Sequence, residues 1–105
     1  MPQFEFNGAL LDLDEKGYLT AFDAWTPAIA AALAAADDIA ELTPAHWRVL
    51  DFLRAYQTRH GTAPMIRVLC RETGHTLQQI YDLFPLGPAK GACRVAGLPR
   101  PDSCV

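Results

Sequence analysis

Two cysteines near the C-terminal end, Cys93 and Cys104, are the residues best placed to do chemistry. Cys104 is penultimate and follows Leu98-Pro99-Arg100-Pro101-Asp102-Ser103, a stretch with two prolines and no hydrophobic periodicity. Proline denies a helix there and biases the backbone toward polyproline II. An arm of this kind gives a cysteine little to pack against, so the usual role of a small buried hydrophobe fits Cys104 poorly. The steps from Gly97 to Cys104 span about 22 Å at the polyproline rise, long enough to deliver a thiol into another protein's cleft. Folding back instead closes a loop with Cys93 of a size for which chain entropy predicts about 3 kcal/mol. The arm can therefore alternate between an extended thiol or persulfide and a retracted disulfide.

The charges around Cys104 are mixed. Asp102 and the terminal carboxylate disfavour its thiolate, Arg100 favours it, and no histidine lies nearby in sequence. A partner's basic site has to complete the activation, which suits a carrier better than a stand-alone enzyme. Lys90, Arg94 and Arg100 are candidates to attract anions or an acidic partner, with a solvated charged face as the bland reading. Cys70, between Leu69 and Arg71 on the apolar side of a helix, reads as a buried structural cysteine. His46, His60 and His75 show no metal spacing with the cysteines, and there is neither a glycine-rich phosphate loop nor a nucleophile elbow. No metal and no cofactor are expected.

The elements that position these residues announce themselves by their ends. Phe4-Glu5-Phe6, Asn7-Gly8 and Ala9-Leu10-Leu11 read as a β-hairpin, with a further turn at Gly17 before Tyr18-Leu19. A lone hairpin is marginal in water and must lie on something helical. Thr26-Pro27 and Thr43-Pro44 each place an N-cap before a proline at the first helical position. The first helix runs through the alanines, with Ile29, Leu33, Ala36 and Ala40 turned inward. The second runs from Pro44 to about His60 and stops at Gly61, with Trp47, Leu50, Leu53 (or Arg54) and Tyr56 at helical spacing. A third is expected from about Pro64 to Thr73. A fourth starts at the Thr76/Gln79 capping box and ends before Pro85. A fifth runs from Pro88 to a stop at Gly97.

The 105 residues suit one small domain, and half of them are hydrophobic, too many for a disordered chain. No apolar run approaches the ~20 residues that span a bilayer, and the start shows no secretory pattern, so a cytoplasmic protein is expected. Three cysteines do not make a disulfide framework. The net charge of −3 divides into −7 over residues 1–44 and +4 over residues 45–105, a polarity that suits an anionic ligand or an acidic partner at the C-terminal end. Residues 64–84 also read as a helix-turn-helix, and a small DNA-binding regulator is the alternative from another class. Its second helix, however, has no Arg or Lys for phosphates and carries Asp82, so nucleic-acid binding is not expected.

Leu83-Phe84-Pro85-Leu86-Gly87-Pro88-Ala89-Lys90-Gly91-Ala92-Cys93, then Ala96-Gly97-Leu98-Pro99-Arg100-Pro101 and the final Cys104-Val105, resemble the C-terminus of the DsrC/TusE family of sulfur-relay proteins. Glu15-Lys16-Gly17-Tyr18-Leu19, Trp25, Leu42-Thr43-Pro44-Ala45-His46-Trp47 and Pro64-Met65-Ile66-Arg67-Val68-Leu69 resemble further blocks of that family, so the resemblance covers nearly the whole chain. It implies a mostly helical α+β fold: an N-terminal β-hairpin on a small helical bundle that contains a helix-turn-helix-like unit. On that reading residues 1–97 are one globular domain and residues 98–105 a flexible arm. It also implies a protein co-substrate and not an enzyme in its own right, taking sulfur on Cys104 and forming a disulfide or trisulfide with Cys93.

With both cysteines present the chain looks more like DsrC proper than like TusE, which relays sulfur for tRNA thiolation. The implied partners are sulfur-donating sulfurtransferases and either dissimilatory sulfite reductase or a heterodisulfide-reductase-like complex, without membrane insertion. Three departures from the family pattern are expected. The segment between Cys70 and Leu83 is shorter, lacking a lysine- and glycine-rich stretch, which bears on the sulfite-reductase partner. Gly91 stands where glutamine is common and weakens its helix by ~1 kcal/mol relative to alanine. Asp102-Ser103 replaces a more usual threonine-glycine pair.

Overall fold

The computed structural model describes residues 3–6, 9–14 and 17–98, with no side-chain description for 3–6, 9 and 89. Strands β1 (Gln3–Phe6) and β2 (Ala9–Asp12) pair antiparallel, with Phe6 opposite Ala9. That register leaves two residues for the connection, as the hairpin reading requires; Asn7 and Gly8 themselves lie outside the described residues. The chain then turns back at Gly17, whose φ of 88° suits glycine, and Leu19 bridges to Leu13. Tyr18 and Leu19 are thereby carried into the core.

A short 3-10 turn (Phe22–Ala24) leads to α1 (Pro27–Ala36). Thr26 accepts the Ile29 N–H at 3.2 Å, and Pro27 occupies the first turn where its missing donor costs nothing. Ile29, Ala30, Leu33 and Ala34 face the core. Ala36 and Ala40 do not: the helix ends at Ala36, and both alanines are exposed. Helix α2 (Pro44–His60) runs between its expected limits, from a capping box at Thr43 to Gly61 at φ 74°. Its buried stripe is His46, Val49, Leu50 and Leu53, with Trp47, Arg54 and Tyr56 half-buried at its edges.

Helix α3 (Ile66–Thr73) starts two residues later than Pro64, because Met65 is in extended backbone and acts as its N-cap. Gly74, at φ 76°, turns the chain into α4 (Leu77–Leu83), which opens on the Thr76/Gln79 capping box. The pair forms the expected helix-turn-helix unit. The last helix, α5, spans Pro88–Cys93 and is wound as a π-helix, reverting to α geometry at Arg94 and Val95 before Gly97. No helix among the described residues is long and apolar enough to cross a membrane.

One core joins all these layers, built on Leu33, Val49, Leu50, Leu53, Leu69, Ile80 and Phe84. Much of the C-terminal sequence belongs to it: Ala92, Cys93, Val95, Ala96 and Leu98 are each 0% exposed. Leu98 is therefore part of the packed body, and the boundary expected before it moves at least one residue later.

Candidate functional site

The site is the carbonyl end of α5 and the thiol it carries. The approach to the helix is fixed by α4. Phe84 N–H closes α4 on the Ile80 carbonyl, and Gly87 N–H returns to Phe84 O at 2.7 Å. Gly87 has φ 91°, and a Cβ there would lie 3.0 Å from the Tyr81 ring, so glycine is required twice over. Gly91 is buried against Phe84: a Cβ would stand 3.1 Å from Phe84 Cβ. The glycine that weakens the helix locally is thus what lets α5 lie close on the core. Phe84 in turn meets the His46 ring edge-on at 5.1 Å between centroids. His46 Nδ1 accepts the Thr43 N–H at 3.0 Å, so the ring proton sits on Nε2, which donates to Leu83 O at 2.8 Å. The imidazole ties the start of α2 to the end of α4.

Cys93 closes the π-wound segment with its side chain fully buried. Removal from water disfavours the thiolate, and burial pushes the thiol up to about 12. After it the helix ends in a Schellman motif. Gly97 at φ 75° donates to Arg94 O at 3.1 Å, and Leu98 N–H donates to the carbonyl of Cys93 itself at 3.1 Å. Two side chains take the remaining end carbonyls. Trp25 Nε1 donates to Val95 O at 2.9 Å, and Arg54 Nη1 donates to Ala96 O at 2.8 Å. The other Arg54 nitrogen, Nη2, reaches Phe22 O at 3.1 Å, and the guanidinium stacks over the Phe22 and Trp25 rings at 3.9 and 4.2 Å. Burial pulls Arg54 below its ordinary value, with Asp23 opposing. A Cβ on Gly97 would collide with Trp25 Cδ1, so the indole lies flush on the turn.

Sequence reasoning did not single out Trp25 and Arg54 for this role. The available signal was an arginine inside the apolar stripe of α2, a position where a guanidinium must find several acceptors.

The three basic candidates separate. Arg94 forms an ion pair with Asp37, the two side chains being 12% and 7% exposed, and donates from Nε to Lys90 O at 3.2 Å. Its charge is spent inside the protein, which corrects the expectation that it attracts anions; it pins α5 to the end of α1. Lys90 is exposed. Arg100 and Cys104 lie outside the described residues.

Cys70 also departs from expectation. It is half-buried and lines an open apolar groove of about 390 Å³ with Met65, Ile66, Arg67 and Leu77. Leu69, one position earlier, takes the core position, and the 57% exposed Met65 and 48% exposed Leu77 keep the groove open. Among the described residues no three His, Cys, Asp or Glu side chains are grouped as a metal site.

Comparison with known proteins places the chain as a whole. The family model described as "DsrC like protein" matches residues 5–105. The dissimilatory-type sulfite reductase subunit gamma of Nitratidesulfovibrio vulgaris is 41% identical over 105 residues, covering all of both chains. The sulfurtransferase TusE of Sodalis glossinidius is 38% identical over 109 aligned positions, covering 96% of this chain and 99% of that one. The crystal structure of the oxidized gamma-subunit of the dissimilatory sulfite reductase (DsrC) from Archaeoglobus fulgidus superposes with a TM-score of 0.87 at 43% identity, over 99% of this chain and all of the other. The full-length alignment with the Nitratidesulfovibrio protein leaves no room for a segment missing between Cys70 and Leu83 relative to it. Relative to that protein the expected shortening is absent.

Proposed function

This chain belongs to the DsrC-like protein family, and from that premise we propose that it is a sulfur carrier with Cys104 as its loading thiol and Cys93 as its resolving thiol. The observation that carries the reading is the state of Cys93: buried and protonated at the end of a hydrogen-bonded helix, from which the chain runs on to the penultimate cysteine. A buried thiol with so little thiolate is no entry point for sulfur. In the proposed cycle the Cys104 thiolate attacks the outer sulfur of a donor persulfide. The donor's S–S bond breaks, the donor leaves as a thiolate, and Cys104 becomes a persulfide. Delivery follows when Cys93, deprotonated after exposure, attacks the inner sulfur of Cys104. A Cys93–Cys104 disulfide forms and hydrosulfide leaves. Two electrons and two protons from a dithiol reductant restore both thiols.

Two observations favour a partner of the dissimilatory sulfite reductase or heterodisulfide-reductase-like kind over a tRNA-thiolation relay. Both cysteines are present. The full-length match also needs no added positions, whereas the TusE alignment extends to 109 over 96% of this chain. Lys90 is the exposed cation on α5 for an acidic partner, with Arg100 beyond it in sequence. A cycle that begins from two thiols suits the reducing cytoplasm.

The test is to incubate the reduced protein with a persulfide donor and map the added mass. One sulfur atom on the Cys104 peptide is expected, lost in Cys104→Ser and kept in Cys93→Ser. Sulfur appearing on Cys70 or Cys93 in the Cys104→Ser variant would overturn the assignment. Mixed disulfides trapped by Cys93→Ser identify the partner, and recovery of tRNA-thiolation proteins would favour the relay.

A further inference from the structure

The end of α5 is fully accounted for in hydrogen bonds. The carbonyl of Ala92 takes the Ala96 N–H, that of Cys93 takes Leu98, that of Arg94 takes Gly97, that of Val95 takes Trp25, and that of Ala96 takes Arg54. Three of these five come from the chain's own winding, as a helix end ordinarily provides. The other two come from side chains more than 40 residues away in sequence, and they hold Val95 and Ala96, the residues between Cys93 and the Gly97–Leu98 cap. Trp25 and Arg54 are themselves only half-buried, and so is Phe22, the third ring of the stack. Water thus reaches the clamp although it does not reach the thiol. Such a group can release and reform without disturbing Val49, Leu50 and Leu53, the core face of the helix that carries Arg54.

We propose that Trp25 and Arg54 are positioning residues that govern when Cys93 can react: while they hold the Val95 and Ala96 carbonyls the thiol is sealed, and their release frees the Gly97–Leu98 cap and opens it. The role rests on the sulfur-carrier reading for its purpose but not for its physics. Opening the cap releases the Leu98 N–H from the Cys93 carbonyl and loosens the backbone that carries the thiol. A partner that engages Trp25 or competes for Arg54 would expose Cys93 at the moment of docking, so the resolving step would wait for the acceptor.

The experiment is alkylation of the reduced, full-length protein by iodoacetamide over a urea series below the unfolding transition, with Cys93 and Cys70 read separately by peptide mass. It needs no sulfur donor, so it fails or succeeds independently of persulfide loading on Cys104. Wild-type Cys93 is expected to react at least about a hundredfold more slowly than Cys70, with little dependence on urea, the signature of local opening. Trp25→Phe keeps a ring and loses one hydrogen bond; it should speed Cys93 about fivefold or more and leave Cys70 unchanged. Arg54→Met should speed it about tenfold or more, and Arg54→Lys, which can restore one donor, should fall between. If Cys93 labels only with the full urea dependence of global unfolding, or if Trp25→Phe leaves its rate unchanged, the clamp is not a gate. Parallel acceleration of Cys70 and Cys93 would equally overturn it, since that marks general loosening.

Discussion

Burial of the Cys93 thiol predicts a loss of stability at alkaline pH that belongs to this one side chain. Its folded-state value is about 12 against an ordinary 9.0, with burial as the cause. Below pH 9 both folded and unfolded chains hold the proton, and the thiol adds no pH dependence. Above pH 9 the unfolded chain gives up the proton while the folded chain keeps it. The unfolded state then binds fewer protons, and stability falls as pH rises. The slope approaches about 1.4 kcal/mol per pH unit, and the interval from 9.0 to about 12 amounts to about 4 kcal/mol. For a domain of this size 1 kcal/mol corresponds to roughly 4 °C or more in Tm. The assay is thermal or urea unfolding of the reduced protein from pH 7.5 to 10.5 beside Cys93→Ala. Taking the difference removes the lysine and tyrosine titrations common to both. Cys93→Ala should be less stable than wild type by about 1 kcal/mol at neutral pH, from the lost sulfur contacts. The gap should close and then reverse by pH 10.5. Curves that stay parallel over the whole range would show that the folded protein leaves the thiol in water.

Three further outcomes follow from the packing. Ending the chain after Gly97 should cost about 2–3 kcal/mol relative to ending it after Leu98, because that cut removes a fully buried leucine; equal stability of the two truncations in urea would contradict the burial. Gly91→Ala decides between two effects of opposite sign. Helix propensity favours alanine by ~1 kcal/mol, but the new Cβ meets Phe84 Cβ at 3.1 Å inside the core, and overpacking costs about 1–3 kcal/mol, so urea unfolding should show a net loss. Arg94→Met should cost about 3–5 kcal/mol by leaving the Asp37 carboxylate buried without its charge partner, and the double variant with Asp37→Leu should recover most of it; no recovery would mean that the pair contributes packing only.

The sequence was most legible where a local rule acts without rivals. Thr26-Pro27, Thr43-Pro44 and Thr76 with Gln79 became N-caps, and Gly61, Gly74 and Gly97 became left-handed stops, because caps and glycine conformations depend on a few adjacent residues. It misled where two neighbours compete for one buried position. Leu69 and Cys70 are both apolar and adjacent, and the helix can turn only one of them fully inward. Leu69 took the core and left Cys70 on the groove. Likewise Ala36 and Ala40 fit the helical period, but Asp37 ends α1 and its carboxylate is drawn to Arg94, so Ala36 is left exposed as the last helical residue and Ala40 falls beyond the helix. The π winding of α5 had no sequence signal of its own. Within it Gly91 is set against Phe84, a tertiary contact that no local rule reveals. The clamp at Val95 and Ala96 was hidden for the same reason: its donors lie 70 and 42 residues away.

In the proposed cycle the burial of Cys93 also bears on timing. A disulfide between Cys93 and Cys104 can be opened at either sulfur. Attack on the Cys93 sulfur aims at a position where the free thiol is 0% exposed. Attack on the Cys104 sulfur expels Cys93 as a thiolate into a site that holds its proton to about pH 12, and a thiol of high pKa leaves slowly. Formation meets the same barrier from the other side, since Cys93 must first be exposed and deprotonated. Both directions are therefore slow while α5 stays capped, and both are accelerated by the same opening. Sulfur on Cys104 would then be protected against premature release by its own resolving partner, and the step that commits it to an acceptor would be the one that displaces Trp25 and Arg54 from the helix end. The reduction potential of the couple need not change for this to work. Only the rate of exchange does, and an Arg54→Met protein should form and lose the disulfide faster in a glutathione buffer while reaching the same equilibrium.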